Sequence, residues 1–231
     1  MSTRRSLLTA APALGAAALL PGCGTSPDTF AGKGPPFRPE EFFAARLRSN
    51  GLITNFFGAV NGWFTCELIG GWDGTTLTLD EYFVFDDTRE ERRFWRLRRD
   101  PSAAGGNGWA GEATDATGAI AGTTSGNALN LKYELNQQQL DGSRRKLGYD
   151  QWFVRLNEET ALSRANISWY GIGVATAQVS FRRLGPGGGT SVYAGQAYEE
   201  ARRAARPAAD TSAPAQPGRP EPGRSVIAPR R

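Results

Sequence analysis

Seven side chains in the middle of this 231-residue chain have the types and placement to recognise a bound molecule: Arg93, Trp95, Asp115, Asn127, Tyr133, Asp150 and Trp152. Five of them (Asp115, Asn127, Tyr133, Asp150 and Trp152) fall on expected strands or at their ends, where polar and amphipathic groups inside a small barrel can converge on a ligand. Each also has a plainer role. Gly126-Asn127 suits a turn, and Asp150 can accept hydrogen bonds from a neighbouring strand. Arg93 shares a strand face with Trp95 and Leu97, which points it inward. A buried guanidinium must be paired, and Asp115 or Asp150 is the candidate partner. The run Arg92-Arg93-Phe94-Trp95-Arg96-Leu97-Arg98-Arg99 interleaves cations with aromatics, as an anion site built from arginine forks would. Asp80, Asp86, Asp87, Glu90 and Glu91 offer the alternative of cross-strand ion pairing. With Tyr82 facing Phe94, Asp80 would lie opposite Arg96.

Other chemistries find no support. There is no histidine, which excludes Ser-His-Asp and Cys-His nucleophile systems and every histidine-containing zinc site. Asp86-Asp87 and Glu158-Glu159 are adjacent acids that point to different sides. Glycoside hydrolysis needs carboxyls facing each other at ~5–9 Å. Gly105-Gly106-Asn107-Gly108 has neither the strand-to-helix setting nor the lysine of a phosphate cradle. No metal, cofactor or catalytic activity is expected.

Cys23 has a chemistry of its own. Arg4 and Arg5 precede an apolar run from Leu7 to Leu20, the charged and hydrophobic regions of a secretory signal. The run is short of the roughly 20 residues a spanning helix needs. Leu20-Pro21-Gly22-Cys23 has the form of a bacterial lipobox, in which the cysteine thiol carries diacylglycerol and cleavage falls just before it. Two or more acyl chains anchor a protein stably, whereas one does so only marginally. Gly24, rather than Asp, follows the cysteine and leans towards the outer membrane, with the protein facing the periplasm. Thr3-Arg4-Arg5-Ser6-Leu7-Leu8 also resembles a twin-arginine signal. With Cys23 lipidated, Cys66 has no disulfide partner and is read as a small core residue.

The net charge of +4 misleads. Residues 201–231 hold seven arginines against two acids, and the leader holds two more arginines. The remainder has 18 basic and 21 acidic side chains, a net of −3. The basic balance belongs to the ends, so nucleic acid is not an expected partner.

The elements that must position these groups are strands. Over 129–136 every odd residue is apolar and every even one polar, the period of a half-buried strand. Residues 75–85 alternate likewise, with Leu77, Leu79, Phe83 and Phe85 on one face. Glu81 interrupts that face and needs a partner. Further strands are expected at 62–69, 92–97, 108–114, 118–123, 146–156, 161–169 and 174–183, separated by turn sequences such as Gly71-Trp72-Asp73-Gly74 and Asp141-Gly142-Ser143. Nine strands with short connections favour an antiparallel up-and-down barrel, whose closure removes exposed edges. A short helix over 39–46 precedes them, with Pro39 in its first turn. The expected organisation is a signal peptide at 1–22, a lipidated tether at 23–38, the barrel at 39–185 and a tail at 186–231. The tail is too poor in aromatic and branched residues to bury a core, beyond two helical turns near 198–205. Its arginines could contact anionic lipid.

An ordered series carries a resemblance: Leu79-Asp80-Glu81-Tyr82-Phe83-Val84-Phe85-Asp86-Asp87, Arg93-Phe94-Trp95, Gly111-Glu112-Ala113-Thr114-Asp115, Gly118-Ala119-Ile120-Ala121-Gly122, Gly126-Asn127-Ala128-Leu129, Tyr133 and Asp150-Gln151-Trp152. From about Phe42 to Phe181 the chain resembles the uncharacterised bacterial lipoprotein family known as domain of unknown function thirty-eight thirty-three. The resemblance implies a lipocalin-like (calycin-type) all-β barrel and an envelope lipoprotein, but no activity. Leu131 stands where that pattern has a tryptophan, Gln151 where an acid is expected, and the Arg/Pro tail lies outside it. The expectation is a lipid-anchored barrel that binds a lipid or other apolar small molecule. The alternative is an assembly or interaction factor with a solid barrel.

Overall fold

Side chains that alternate in and out along ten consecutive strands decide the architecture. In a computed structural model, which describes residues 24–139 and 142–187, the strands form one closed antiparallel barrel. They are β1 (Ala45–Asn55), β2 (Val60–Trp72), β3 (Thr76–Phe85), β4 (Glu90–Asp100), β5 (Gly108–Ala113), β6 (Ile120–Ser125), β7 (Ala128–Gln138), β8 (Arg144–Arg155), β9 (Thr160–Trp169) and β10 (Ile172–Pro186). Each pairs with its sequence neighbours, and β1 pairs with β10 to close the ring. The fold is the up-and-down lipocalin-like barrel expected. Cys23, the signal segment and the tail beyond residue 187 lie outside the described residues, as does the turn residue Asp141.

The N-terminal edge departs from expectation. The helix α1 is a single turn, Pro39–Phe42, and β1 begins at Ala45, where helix was expected to continue. Inward positions of β1 are Ala45, Leu47, Ser49 and Gly51, too small and polar to show a hydrophobic alternation. Gly51 is small for a reason: the ring of Phe64 on β2 occupies the place of a Cβ, within 2.2 Å of it. The tenth strand was therefore hidden in the sequence.

One end of the barrel is plugged. Phe37, Phe42 and Phe43 are buried and pack on one another with ring centroids 5.3–5.7 Å apart. Phe43 continues the stack onto Phe153 of β8 and Phe181 of β10, at 5.5 and 6.1 Å. Residues read as tether also fold back on the barrel. The 3-10 turn Pro27–Phe30 puts Phe30 against Trp152, 5.3 Å between centroids. The Phe37 amide donates to the Gly126 carbonyl (2.8 Å), and Arg155 donates to the Pro36 carbonyl (3.0 Å).

The β3–β4 register differs by two residues from that expected. Thr88 adopts a left-handed φ of 67°, closing a three-residue loop between Phe85 and Arg89. Tyr82 therefore faces Arg92, Asp80 faces Phe94, and Glu81 faces Arg93. Asp80 still finds its cation, diagonally: Arg92 donates to both its oxygens at 2.8 and 2.7 Å. Arg96 instead faces Thr78 on β3 and Glu112 on β5. No helix among the described residues is long and apolar enough to cross a membrane.

Candidate functional site

The lumen is not filled by side chains. A cavity of about 450 Å³ opens at the end opposite the plug. Its walls are Phe64, Phe83, Phe85, Leu147, Ala165, Ile167 and Ala177, and its rim carries Asp86, Asp87, Arg89, Arg145 and Trp169. Beneath it lies a second space of about 70 Å³ above Phe43, Phe153 and Phe181. Phe64, Phe83, Arg93 and Tyr133 border both, so Arg93 and Tyr133 form a polar shelf between two apolar lobes.

Arg93 sits on the inward phase of β4 and is buried. Its Nε donates to both oxygens of Asp115, 2.9 Å each, the first of the two partners expected. Glu91 and Glu81 follow at 3.9 and 4.0 Å. The guanidinium also lies 5.2 Å from the Phe83 ring and 5.9 Å from that of Trp95. Burial by itself would lower its pKa, but the charges of Asp115 and Glu81 reverse that and hold it above the ordinary arginine value. Trp95 points inward and donates its indole N–H to Glu81 at 2.7 Å, supplying the partner that Glu81 needed. Tyr133 packs edge-on against Trp95 (5.1 Å) and parallel to Tyr149 (5.0 Å). Its hydroxyl donates to Gln151 Oε1 at 2.5 Å, and Gln151 donates onward to Ser163. Burial pushes both tyrosines up, so neither is a ready proton donor.

The other three predicted residues lie elsewhere. Asp150 and Trp152 occupy the outward phase of β8. Asp150 accepts from Asn130 (2.6 Å) and lies 3.7 Å from Lys132, the neighbouring-strand role weighed for it. Trp152 is covered by Phe30. Asn127 closes the β6–β7 turn at the plugged end and donates to the Arg155 carbonyl at 3.0 Å. Their inward neighbours, Tyr149, Gln151 and Phe153, face the lumen instead. Both phases of β8 carry aromatic and polar residues, so alternation could not choose between them. Glu91 and Tyr149 are lumen residues the sequence reading missed, and Gln151, noted there only as a departure from the family pattern, faces the lumen too. Cys66 is buried as expected, and burial pushes its thiol up.

Burial also raises Glu81 and Glu91 above the ordinary carboxylate value, against the pull of Arg93. A raised folded-state pKa gives stability that is full below the unfolded value and lost as pH rises through the folded one. Glu81→Gln keeps an acceptor for Trp95 and removes that loss. We expect its stability relative to the parent to rise with pH across the weakly acidic range. Urea unfolding at several pH values would read this; a difference independent of pH would contradict it.

A family model described as "Protein of unknown function (DUF3833)" matches residues 17–183. Among solved structures, one similar chain is an S-type phycobiliprotein lyase, CPES, from Guillardia theta. It is 10% identical, with a TM-score of 0.49, covering 64% of this chain and 93% of that one. A second is a protein of unknown function from the DUF3598 family of Nostoc punctiforme PCC 73102. It is 9% identical, with a TM-score of 0.43, covering 66% of this chain and 51% of that one. No curated protein matches.

Proposed function

This chain belongs to the DUF3833 family, and we propose that it is an envelope lipoprotein, anchored through Cys23, that holds an apolar or amphipathic small molecule in its barrel. The observation that carries the reading is the one-ended lumen. A cavity of about 450 Å³ falls within the range of about 300–1,000 Å³ typical of small-molecule sites. Its walls are aromatic and aliphatic, and its floor has one polar cluster. Three carboxylates (Glu81, Glu91 and Asp115) stand against two guanidiniums (Arg93 and Arg89, the latter paired with Glu91), so the polar end of a ligand would be a hydrogen-bond donor or a cation rather than a carboxylate. These groups are suited to bind and orient a ligand, and the reading is of a carrier. Gly24 after Cys23 supports the outer membrane as the site of anchoring, and the tail's arginines suit its anionic surface.

The neutral fluorophore N-phenyl-1-naphthylamine tests the lumen. We expect saturable enhancement of its emission, and native mass spectrometry of protein from bacterial membranes should show a bound adduct. Ala165 and Ala177 face each other across β9 and β10 and line the cavity. Ala165→Phe should fill open space and weaken probe binding about tenfold, with a smaller stability cost than the roughly 1–3 kcal/mol of overpacking a closed core. No adduct together with no probe binding would overturn the reading.

A further inference from the structure

Two stretches of this chain carry no charge at all: residues 49–66 and 165–181. They form the open-end halves of β1, β2, β9 and β10, four strands side by side in the ring, with Thr54 paired to Thr176 and Asn55 to Ala175. Their hairpin tips are apolar and outside the core. Phe56 is 73% exposed, Phe57 91%, Tyr170 88% and Ile172 71%. Trp169 stands beside them under the guanidinium of Arg145, 5.4 Å away. Down the outer wall follow Leu52, Trp63 and Leu162, all exposed, with asparagine, serine, threonine and glutamine between them and Arg164 beside Leu162 at the lower edge of the uncharged zone.

We propose that this uncharged wall and its two aromatic tips form a membrane-docking surface that seats the open mouth of the barrel in the interfacial layer of a lipid bilayer. Tryptophan and tyrosine favour the headgroup level, where an apolar ring and a polar edge are both satisfied. A surface lacking charge over the open-end halves of four adjoining strands loses no ion hydration where those halves enter that layer. The chain itself indicates which occupant the wall meets. The described residues begin at Gly24, and Thr25 lies in the outer groove with Leu52, Trp63 and Leu162. Cys23 directly precedes Gly24 in the sequence, so the lipid proposed there would join the chain two residues from Thr25 of this groove. Ile53, Trp169, Val174 and Ala175, from the same hairpins, line the cavity. Given the ligand-binding reading above, docking lets an apolar molecule pass between bilayer and lumen without crossing water.

The test uses a chain beginning at Gly24, which contains every residue of the barrel and plug and lacks Cys23, with vesicles of phosphatidylcholine and phosphatidylglycerol. High salt screens the basic tail but leaves apolar insertion in place. We expect sedimentation with vesicles at high salt, weakened about tenfold by Phe56→Ser, Phe57→Ser, Tyr170→Ser and Ile172→Ser together. A separate Phe57→Cys chain carrying an environment-sensitive dye should shift its emission to the blue on vesicle addition, while buried Cys66 stays unlabelled. Vesicle binding abolished by salt, binding unchanged in the fourfold variant, or an unmoved dye would each overturn the proposal. Binding to a protein partner in place of vesicles would do so as well. Because Cys23 is absent and N-phenyl-1-naphthylamine binding is read separately, failure here is distinct from failure of the carrier reading.

Discussion

Replacing Arg93 with leucine is expected to cost about 3–5 kcal/mol of stability at neutral pH, because it strands buried carboxylates rather than merely removing a contact. Asp115 loses a donor at 2.9 Å, and Glu81 and Glu91 lose the cation that does most to oppose their desolvation, with Arg89 still paired to Glu91. Without Arg93, the folded-state pKa values of both glutamates rise further. A raised carboxylate pKa takes stability away as pH increases through it, so the gap between variant and parent should widen from acid to neutral pH. Urea midpoints at two pH values measure this. Arg93→Leu with Asp115→Leu removes both members of the closest pair and should recover part of the loss, a coupling that a double-mutant cycle isolates. A single-variant loss below about 1 kcal/mol and flat with pH would mean that water, not Arg93, compensates the cluster.

How much of this site could be read in the sequence follows from how strongly each strand alternates. The sequence of β7 alternates over 129–136, and Tyr133, a candidate lumen residue, falls on its apolar face and is buried. β3 alternates with one exception, and the exception, Glu81, proved to be part of the polar cluster. Arg93 and Asp115 came together as paired because a buried guanidinium has few ways to be tolerated. β8 failed because Trp152 and Val154 in one phase look as apolar as Tyr149 and Phe153 in the other. What buries Trp152 is Phe30, a residue from a segment whose Gly/Pro/Ser composition resembles a linker. Asn127 had no such competitor: a glycine–asparagine turn was the plainer reading and is what the structure contains. β1 was missed because its inward positions are small to admit Phe64, a demand set by another strand and invisible within its own residues. Long-range packing, not local propensity, therefore accounts for most of what the sequence concealed.

The same kind of packing makes Phe43→Ala the second large effect. Phe43 is nearly fully buried, and its ring touches Phe37, Phe42, Phe153 and Phe181, joining the plug to β8 and β10. Truncating a buried phenylalanine costs about 3–5 kcal/mol, part lost transfer energy and part cavity. Here the cavity cannot collapse easily, because the void adjoins the lower lobe bordered by Phe43 itself. For a domain of this size that loss corresponds to a fall of roughly 10 °C or more in Tm. Gly70→Ala attacks the same seat from the barrel side. The Phe43 carbonyl oxygen occupies the site of a Gly70 Cβ, 1.8 Å from it, and backbone must move to admit a methyl. Both variants should loosen the plug and share one further signature: N-phenyl-1-naphthylamine affinity falls, because a lumen open at both ends admits water beneath the Arg93–Tyr133 shelf. Ala165→Phe should lower probe affinity with little change in Tm, so thermal unfolding and probe titration together separate a lost plug from a filled cavity. If Phe43→Ala lowered Tm and left the probe affinity intact, the lower lobe would be isolated from the ligand space, and the plug would serve stability alone.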